Sequence, residues 1–332
     1  MTALRIAVIG AGHMGVRHAE RVADSAIAGV ELAGVADIAY DRAERAAGAW
    51  KARAARDSRE LIAHADAAIV AVPSEAHFQV VEAWLREGKD VLVEKPIAAT
   101  VVQGEKLLAL AEAKHCILQV GHVEWFNAAM QVIREQIDSP LFAEVHRMGP
   151  FPERPTDVDV VRDVMIHDLE ILQRLLGEEP TSIDAVGVPV LSGDLDIANA
   201  RLHFPSGCVA NLTASRVSAT PMRKLRFFQT DGYFSIDFLE QSATVFRRRV
   251  SATGGAPEIE VEQLKTDPVD SLTHQLLSFV ACVRERTAPQ VDAAGGLAAL
   301  RTALRVRDAM PDPEKVEGLV SVAQVNDGEG SL

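Results

Sequence analysis

The segment Gly10-Ala11-Gly12-His13-Met14-Gly15 constrains this chain more than any other stretch, because of what stands on either side of it. Leu4 to Ile9 is a short apolar run of strand character, and His13 to Ile27 has the length and spacing of a helix. A G-x-G-x-x-G pattern at such a junction builds a dinucleotide site. Gly10 permits the tight turn, Gly12 lets backbone approach a pyrophosphate, and Gly15 permits close packing of helix on strand. The helix N-terminus then offers unpaired N–H groups to phosphate oxygens, so His13 and Met14 are expected beside the cofactor too. Asp37 closes the next strand-like run, Glu31 to Ala36, 22 residues after Gly15. An acidic side chain there accepts hydrogen bonds from the adenosine ribose and repels a 2′-phosphate, which favours NAD over NADP. Arg42 and Arg45 follow closely enough to bear on that choice, although both also read as a solvated helix face.

Strand and helix signals keep alternating. Asp41 to Ala55 is rich in helix formers, Ala67 to Val72 is an apolar run stopped by Pro73, and Ser74 to Glu87 is helical in pattern. Asp90 to Val93 is stopped by Glu94-Lys95-Pro96; Thr100 to Lys114 and Cys116 to Val120 complete the series. Such alternation implies parallel strands joined by right-handed crossovers. Beyond Gly121 the pattern changes. Helices are expected at Asn127 to Ile137 and Asp163 to Leu176, followed by hairpins: Leu202–Phe204 with Val209–Leu212 across Pro205-Ser206-Gly207, and Leu225–Thr230 with Tyr233–Phe238 across Asp231-Gly232. Helices over Ser271–Arg286 and Gly295–Met310 close the pattern, and the acidic tail after Pro311 is expected to be loosely ordered at its end. The expected fold is α/β: a Rossmann dinucleotide-binding domain over residues 1–121, then an α+β substrate and oligomerisation domain with a largely antiparallel open sheet over 122–332.

Composition excludes several other functions. A net charge of −13 opposes binding to nucleic acid or an anionic membrane surface. No apolar run approaches the ~18 residues of a spanning helix, and Ile6–Ile9 runs into glycines too soon for a signal peptide, so a cytoplasmic location is expected. Cys116, Cys208 and Cys282 are odd in number and widely spaced, which fits neither a disulfide framework nor a zinc site; no metal is expected.

Three further residues have the chemistry of a dehydrogenase. Lys95 ends a strand of the parallel sheet, where ligands of open α/β sheets bind, and its ammonium can stabilise charge on a substrate oxygen. Asp163 and His167 share one face of a helix by their four-residue spacing, and histidine suits proton transfer from a hydroxyl. Asp168 points ~100° away from His167. Taken alone, Lys95 reads equally as an exposed turn lysine, and Asp163 with His167 as a local ion pair.

The ordered set Gly10–Gly15, Ala71-Val72-Pro73 with His77, Glu94-Lys95-Pro96, and Asp163 with His167 resembles the glucose-fructose oxidoreductase, inositol dehydrogenase and rhizopine catabolism family over essentially the whole chain. The resemblance implies an NAD(P)-dependent dehydrogenase of sugar, cyclitol or nucleotide-sugar hydroxyls, with Lys95, Asp163 and His167 catalytic. It also implies that Val72, Pro73 and His77 lie along the cofactor, Glu94 lies near the nicotinamide ribose, and the Lys95-Pro96 bond is cis. Gly121–Asn127 and Asp163–Leu169 look most like the branch acting on the 3-hydroxyl of UDP-N-acetylglucosamine, for lipid A or another surface glycan. That likeness implies substrate contacts from His122, Asn127 and Arg162. Trp125 departs from the branch, which carries arginine there; it either stacks on a ring or packs. A dehydrogenase of a free cyclitol, monosaccharide or linear tetrapyrrole, and a non-catalytic NAD-binding regulator, are the alternatives. The open sheet suggests a homodimer or homotetramer.

Overall fold

Short apolar runs become the strands of a parallel sheet in the computed structural model, which describes residues 3–24, 27–151, 158–249, 258–267 and 270–311. They are β1 (Leu4–Ile9), β2 (Val30–Ala36), β3 (Arg53–Ala55), β4 (Ala67–Val70), β5 (Asp90–Glu94) and β6 (Leu118–Gly121), in the order β3-β2-β1-β4-β5-β6. All five pairings are parallel. The order reverses between β1 and β4, and the crevice beyond the strand ends at such a switch point is where ligands bind. Crossovers run through α1 (His13–Ala23), α2 (Tyr40–Gly48), α3 (Ser74–Arg86) and α4 (Val101–Lys114). Local chemistry sets their limits. Thr100 and Gln103 form a capping box that starts α4, and His115 ends it in the left-handed conformation at φ 55°. The helix expected over 41–55 stops at Gly48; Lys51 turns left-handed at φ 55°, and Arg53–Ala55 pairs with β2 as an edge strand. Sheet pairing there overrides the helix preference of the sequence.

The second sheet is mostly antiparallel. Its strands are β7 (Phe142–Met148), β8 (Ser182–Val188), β9 (Ile197–His203), β10 (Val209–Ser215), β11 (Met222–Phe228), β12 (Gly232–Asp237), β13 (Ser242–Arg249) and β14 (Glu258–Leu264). Their order is β14-β13-β12-β11-β7-β10-β9-β8, with only β7 and β10 parallel. Both expected hairpins form, β9–β10 and β11–β12. One sheet face is buried under α5 (Ala128–Ile133), α6 (Ile166–Leu176) and α8 (Ala293–Asp308). The other face is open. Across it Phe142, Phe228, Tyr233 and Phe246 form a row, with ring centroids 5.5, 5.3 and 4.0 Å apart.

Three departures from the sequence reading matter for the site. The helix expected over 127–137 shortens to α5 between 3₁₀ turns at Val123–Phe126 and Arg134–Gln136. The helix expected from Asp163 begins instead as a π-helical turn, Val161–Met165, before α6. Finally α7 (Ser271–Glu285), expected in the second domain, buries Leu276, Phe279 and Val280 in one core with Ile6, Val8 and Val22 of the first sheet layer. The tail after Pro311 lies outside the described residues. Among those described, no helix is long and apolar enough to cross a membrane.

Candidate active site

The glycine loop at the end of β1 is shaped by contact. Gly10 sits at φ 97°, and a Cβ there would lie 2.5 Å from the Ala71 carbonyl oxygen; a Cβ on Gly15 would lie 1.7 Å from the oxygen of Gly10. Only glycine fits at either position. Gly12 differs, since a Cβ there would meet nothing within 4 Å. That open space lies over the N-terminus of α1, which has no side-chain cap and no acidic residue in its first turn. His13 is exposed and Met14 half-buried beside it. Asp37 Oδ2 accepts from Ala11 N at 2.7 Å and Oδ1 from Ala39 N at 2.8 Å, so this carboxylate pins the glycine loop to the end of β2. Vacant space at Gly12, free helix N–H groups and an acidic strand end together fit a nicotinamide dinucleotide.

A second rank of residues lies at the ends of β4 and β5. His18 Nε2 on α1 donates to Glu94 Oε1 at 2.7 Å. Burial works against ionisation of Glu94, yet the hydrogen bond from His18 holds its carboxyl below the usual range. The carboxylate lies against Gly121, where a Cβ would sit 3.0 Å from Glu94 Oε2. The Lys95-Pro96 peptide is cis. His77, expected along the cofactor, is 1% exposed, with Nδ1 2.7 Å from the Pro96 carbonyl oxygen and Nε2 2.9 Å from that of Val72. A neutral ring carries one N–H, so it donates to one of these two carbonyls and only packs against the other. Burial keeps its proton affinity low.

Lys95 reaches from this rank into the second domain. Its Nζ donates to Asp163 Oδ1 at 2.8 Å and to the Asp163 backbone oxygen at 2.6 Å. The π-helical turn carries Asp163, and α6 carries His167 at its second residue, so a regular-helix spacing no longer relates the two. The Asp163 carboxylate holds Lys95. The His167 ring meets that of His122 edge to face, with centroids 5.8 Å apart and planes at 87°. Both nitrogens of His122 and Nδ1 of His167 are buried without a hydrogen-bond partner. Burial, then the charges of Lys95 and Arg147, holds His167 neutral well below the usual histidine range.

For His122, burial and then Lys95 and Arg174 push the pKa from 6.5 down to about 3. Between those values the unfolded chain binds more protons than the folded one, so stability falls as pH falls through the window. His122 contributes up to ~1.4 kcal/mol per pH unit there. Urea unfolding at about pH 7 and about pH 5 should therefore show a smaller loss in His122→Phe than in the parent, and equal losses would refute a neutral buried ring.

Two residues expected to contact substrate also bond within the fold. Asn127 Oδ1 caps α5 by accepting from Ala129 N at 3.0 Å, and its Nδ2 donates to the Phe238 carbonyl at 3.1 Å. Both ends of that amide are engaged within the fold. Arg162 Nε donates to the buried Asp159 Oδ2 at 2.8 Å, which turns its guanidinium toward the helix cap. Trp125 packs: it is 7% exposed, its Nε1 donates to Gln290, and Arg134 and Arg174 each lie 5.4 Å over its ring. The sequence reading overlooked His18, Arg147 and Arg223. None of them sits in a motif, and Arg147 and Arg223 lie on strands (β7 and β11) whose adjacency only the fold creates.

Residues 4–122 match the model of the oxidoreductase family with an NAD-binding Rossmann fold, and residues 129–235 match the GFO/IDH/MocA C-terminal domain. The chain is 34% identical over 311 residues to UDP-N-acetylglucosamine 3-dehydrogenase of Acidithiobacillus ferrooxidans, covering 93% of this chain and 98% of that one. A solved structure of that enzyme superposes with a TM-score of 0.87. Inositol 2-dehydrogenase of Rhizobium meliloti is 30% identical over 64% of this chain and 69% of its own length. An oxidoreductase domain protein from Kribbella flavida, 18% identical with a TM-score of 0.82 over 93% of this chain and 97% of its own, shares the fold.

Proposed function

Because the chain belongs to the GFO/IDH/MocA family of NAD-binding oxidoreductases, we propose that it oxidises a secondary ring hydroxyl of a nucleotide sugar, the 3-hydroxyl of UDP-N-acetylglucosamine, with NAD. The observation that carries this reading is near-complete mutual coverage with the UDP-N-acetylglucosamine 3-dehydrogenase; the match to the Rhizobium meliloti inositol dehydrogenase covers about two thirds of either chain. Lys95, at the end of β5, reaches Asp163 and lies near enough to His167 for its charge to act on the ring, in support of it.

Bound NAD supplies hydride acceptance from the carbinol carbon. The protein's own residues handle the oxygen. His167 accepts the hydroxyl proton: burial keeps the ring unprotonated, and its low proton affinity leaves Lys95 to acidify the hydroxyl the two share. Lys95, steadied by Asp163, donates a hydrogen bond to the same oxygen and stabilises the charge that develops on it. Glu94, fixed by His18 against Gly121, would meet the nicotinamide ribose, and Gly12, His13 and Met14 would hold the pyrophosphate.

Turnover of UDP-N-acetylglucosamine but not myo-inositol, followed by the absorbance of reduced cofactor, tests the proposal. Turnover of inositol alone would move the assignment to a cyclitol dehydrogenase, and tight NAD binding with neither substrate turned over would favour a regulator. Since Asp37 repels a 2′-phosphate, NAD should bind at least ~10-fold tighter than NADP, about 1.4 kcal/mol. Equal affinities by calorimetry would sink that preference. The same reading makes the enzyme cytoplasmic, supplies an amino-sugar route to a surface glycan such as lipopolysaccharide, and uses the open aromatic face to form a homodimer or homotetramer.

A further inference from the structure

Arg147, on β7, is 5% exposed and lies at the centre of a buried charge cluster that the chemistry above leaves unused. Its Nε and Nη2 donate to Asp168 Oδ2 and Oδ1, each at 2.8 Å, and its Nη1 donates to Glu124 Oε1 at 2.6 Å. Arg223, opposite Arg147 in the β7–β11 register, reaches the same Glu124 oxygen at 3.3 Å. Buried ion pairs of this kind seldom stabilise a fold more than apolar residues of equal volume. What sets this one apart is where its carboxylates stand. Asp168 follows His167 directly, and Glu124 lies two residues after His122. One guanidinium thus grips both segments that bring the two imidazoles together, while His122 and the Nδ1 side of His167 have no protein hydrogen bond to orient them.

We propose that Arg147 is a positioning residue that holds His122 and His167 edge to face at the cleft through Glu124 and Asp168. The inference rests on the reading of His167 as proton acceptor. Planar, bidentate geometry is the essential part, because a lysine would keep the charge and lose the fork. The charges around the pair fit the same arrangement: Lys95, Arg147 and Arg223 face His167, Arg174 faces His122, and the carboxylates of Glu124 and Asp168 are turned onto Arg147. Burial raises the Asp168 pKa while Arg147 opposes the rise, so the pairing also keeps Asp168 in its accepting form.

The test is Arg147→Lys in the full-length protein with NAD bound. Turnover number should fall by about tenfold or more while NAD affinity stays within about twofold. The ring ¹⁵N resonances of His122 and His167 should shift or broaden. Should Arg147→Lys fail to fold, the combined Glu124→Gln, Arg147→Met, Asp168→Asn variant removes the charges together and is read the same way. A folded variant with parental turnover and unchanged ring resonances would overturn the proposal. If the parent turns over no nucleotide sugar, the function fails separately, and the ring resonances alone decide whether Arg147 positions the pair.

Discussion

His167→Ala should lower kcat by ~10²–10⁴, the usual span for loss of a general base, with NAD affinity unchanged. The ring stands at the start of α6, on a different element from the glycine loop, so its loss should remove proton acceptance and leave that loop intact. Lys95→Met should cost at least as much, because it removes the cation that joins the end of β5 to Asp163 and, in the proposed reaction, meets charge as it forms on the substrate oxygen. Asp163→Ala should cost less than either. Lys95 Nζ keeps its second partner there, the backbone oxygen of residue 163 at 2.6 Å, which the substitution does not delete. Steady-state kinetics of the three variants beside NAD calorimetry checks the order. Near-parental kcat in His167→Ala with a dead Lys95→Met would make the lysine the proton acceptor and reverse the assignment.

Substitutions in the glycine loop should separate folding from cofactor binding. Gly15→Ala puts a methyl group 1.7 Å from the backbone oxygen of Gly10, which can be relieved only by moving α1 away from β1. A loss of ~1–3 kcal/mol of stability, typical of overpacking, should accompany loss of NAD binding. Gly12→Ala meets no protein atom within 4 Å and should leave the melting temperature unchanged. Its methyl group enters the space reserved for the pyrophosphate, so NAD affinity should fall ~100-fold, about 2.7 kcal/mol. Parental NAD affinity in a folded Gly12→Ala protein would show that the dinucleotide does not lie across the α1 N-terminus.

The cofactor half was the more legible part of the sequence, for a physical reason. Its signals are local: a strand runs straight into Gly10, Asp37 ends the next strand, and Thr100 caps its own helix. Lys95, the proposed catalytic lysine, could be located because Glu94-Lys95-Pro96 ends a buried strand. In the second half the pattern of alternation revealed both hairpins, but β7 went unseen although it is the central strand, because its polar members Glu144, His146 and Arg147 disguise a half-buried run. The π-helical turn was illegible, since nothing in Val161–Met165 distinguishes one extra residue per turn from an ordinary helix start. Asn127 and Arg162 look like substrate residues in one dimension. The fold adds partners that the sequence hides: Asn127 caps α5, and Nε of Arg162 meets a buried aspartate.

The packing of α7 against the first sheet bears on how the chain can be made. Leu276, Phe279, Val280, Cys282 and Val283 close a core whose other members lie before residue 118. While the ribosome is still producing the second half, the N-terminal sheet must wait with one greasy side uncovered, a long-range closure of the sort that slows folding. The dinucleotide unit is therefore no detachable module: cut after Gly121, it would lack the lid of its own interior and would tend to aggregate.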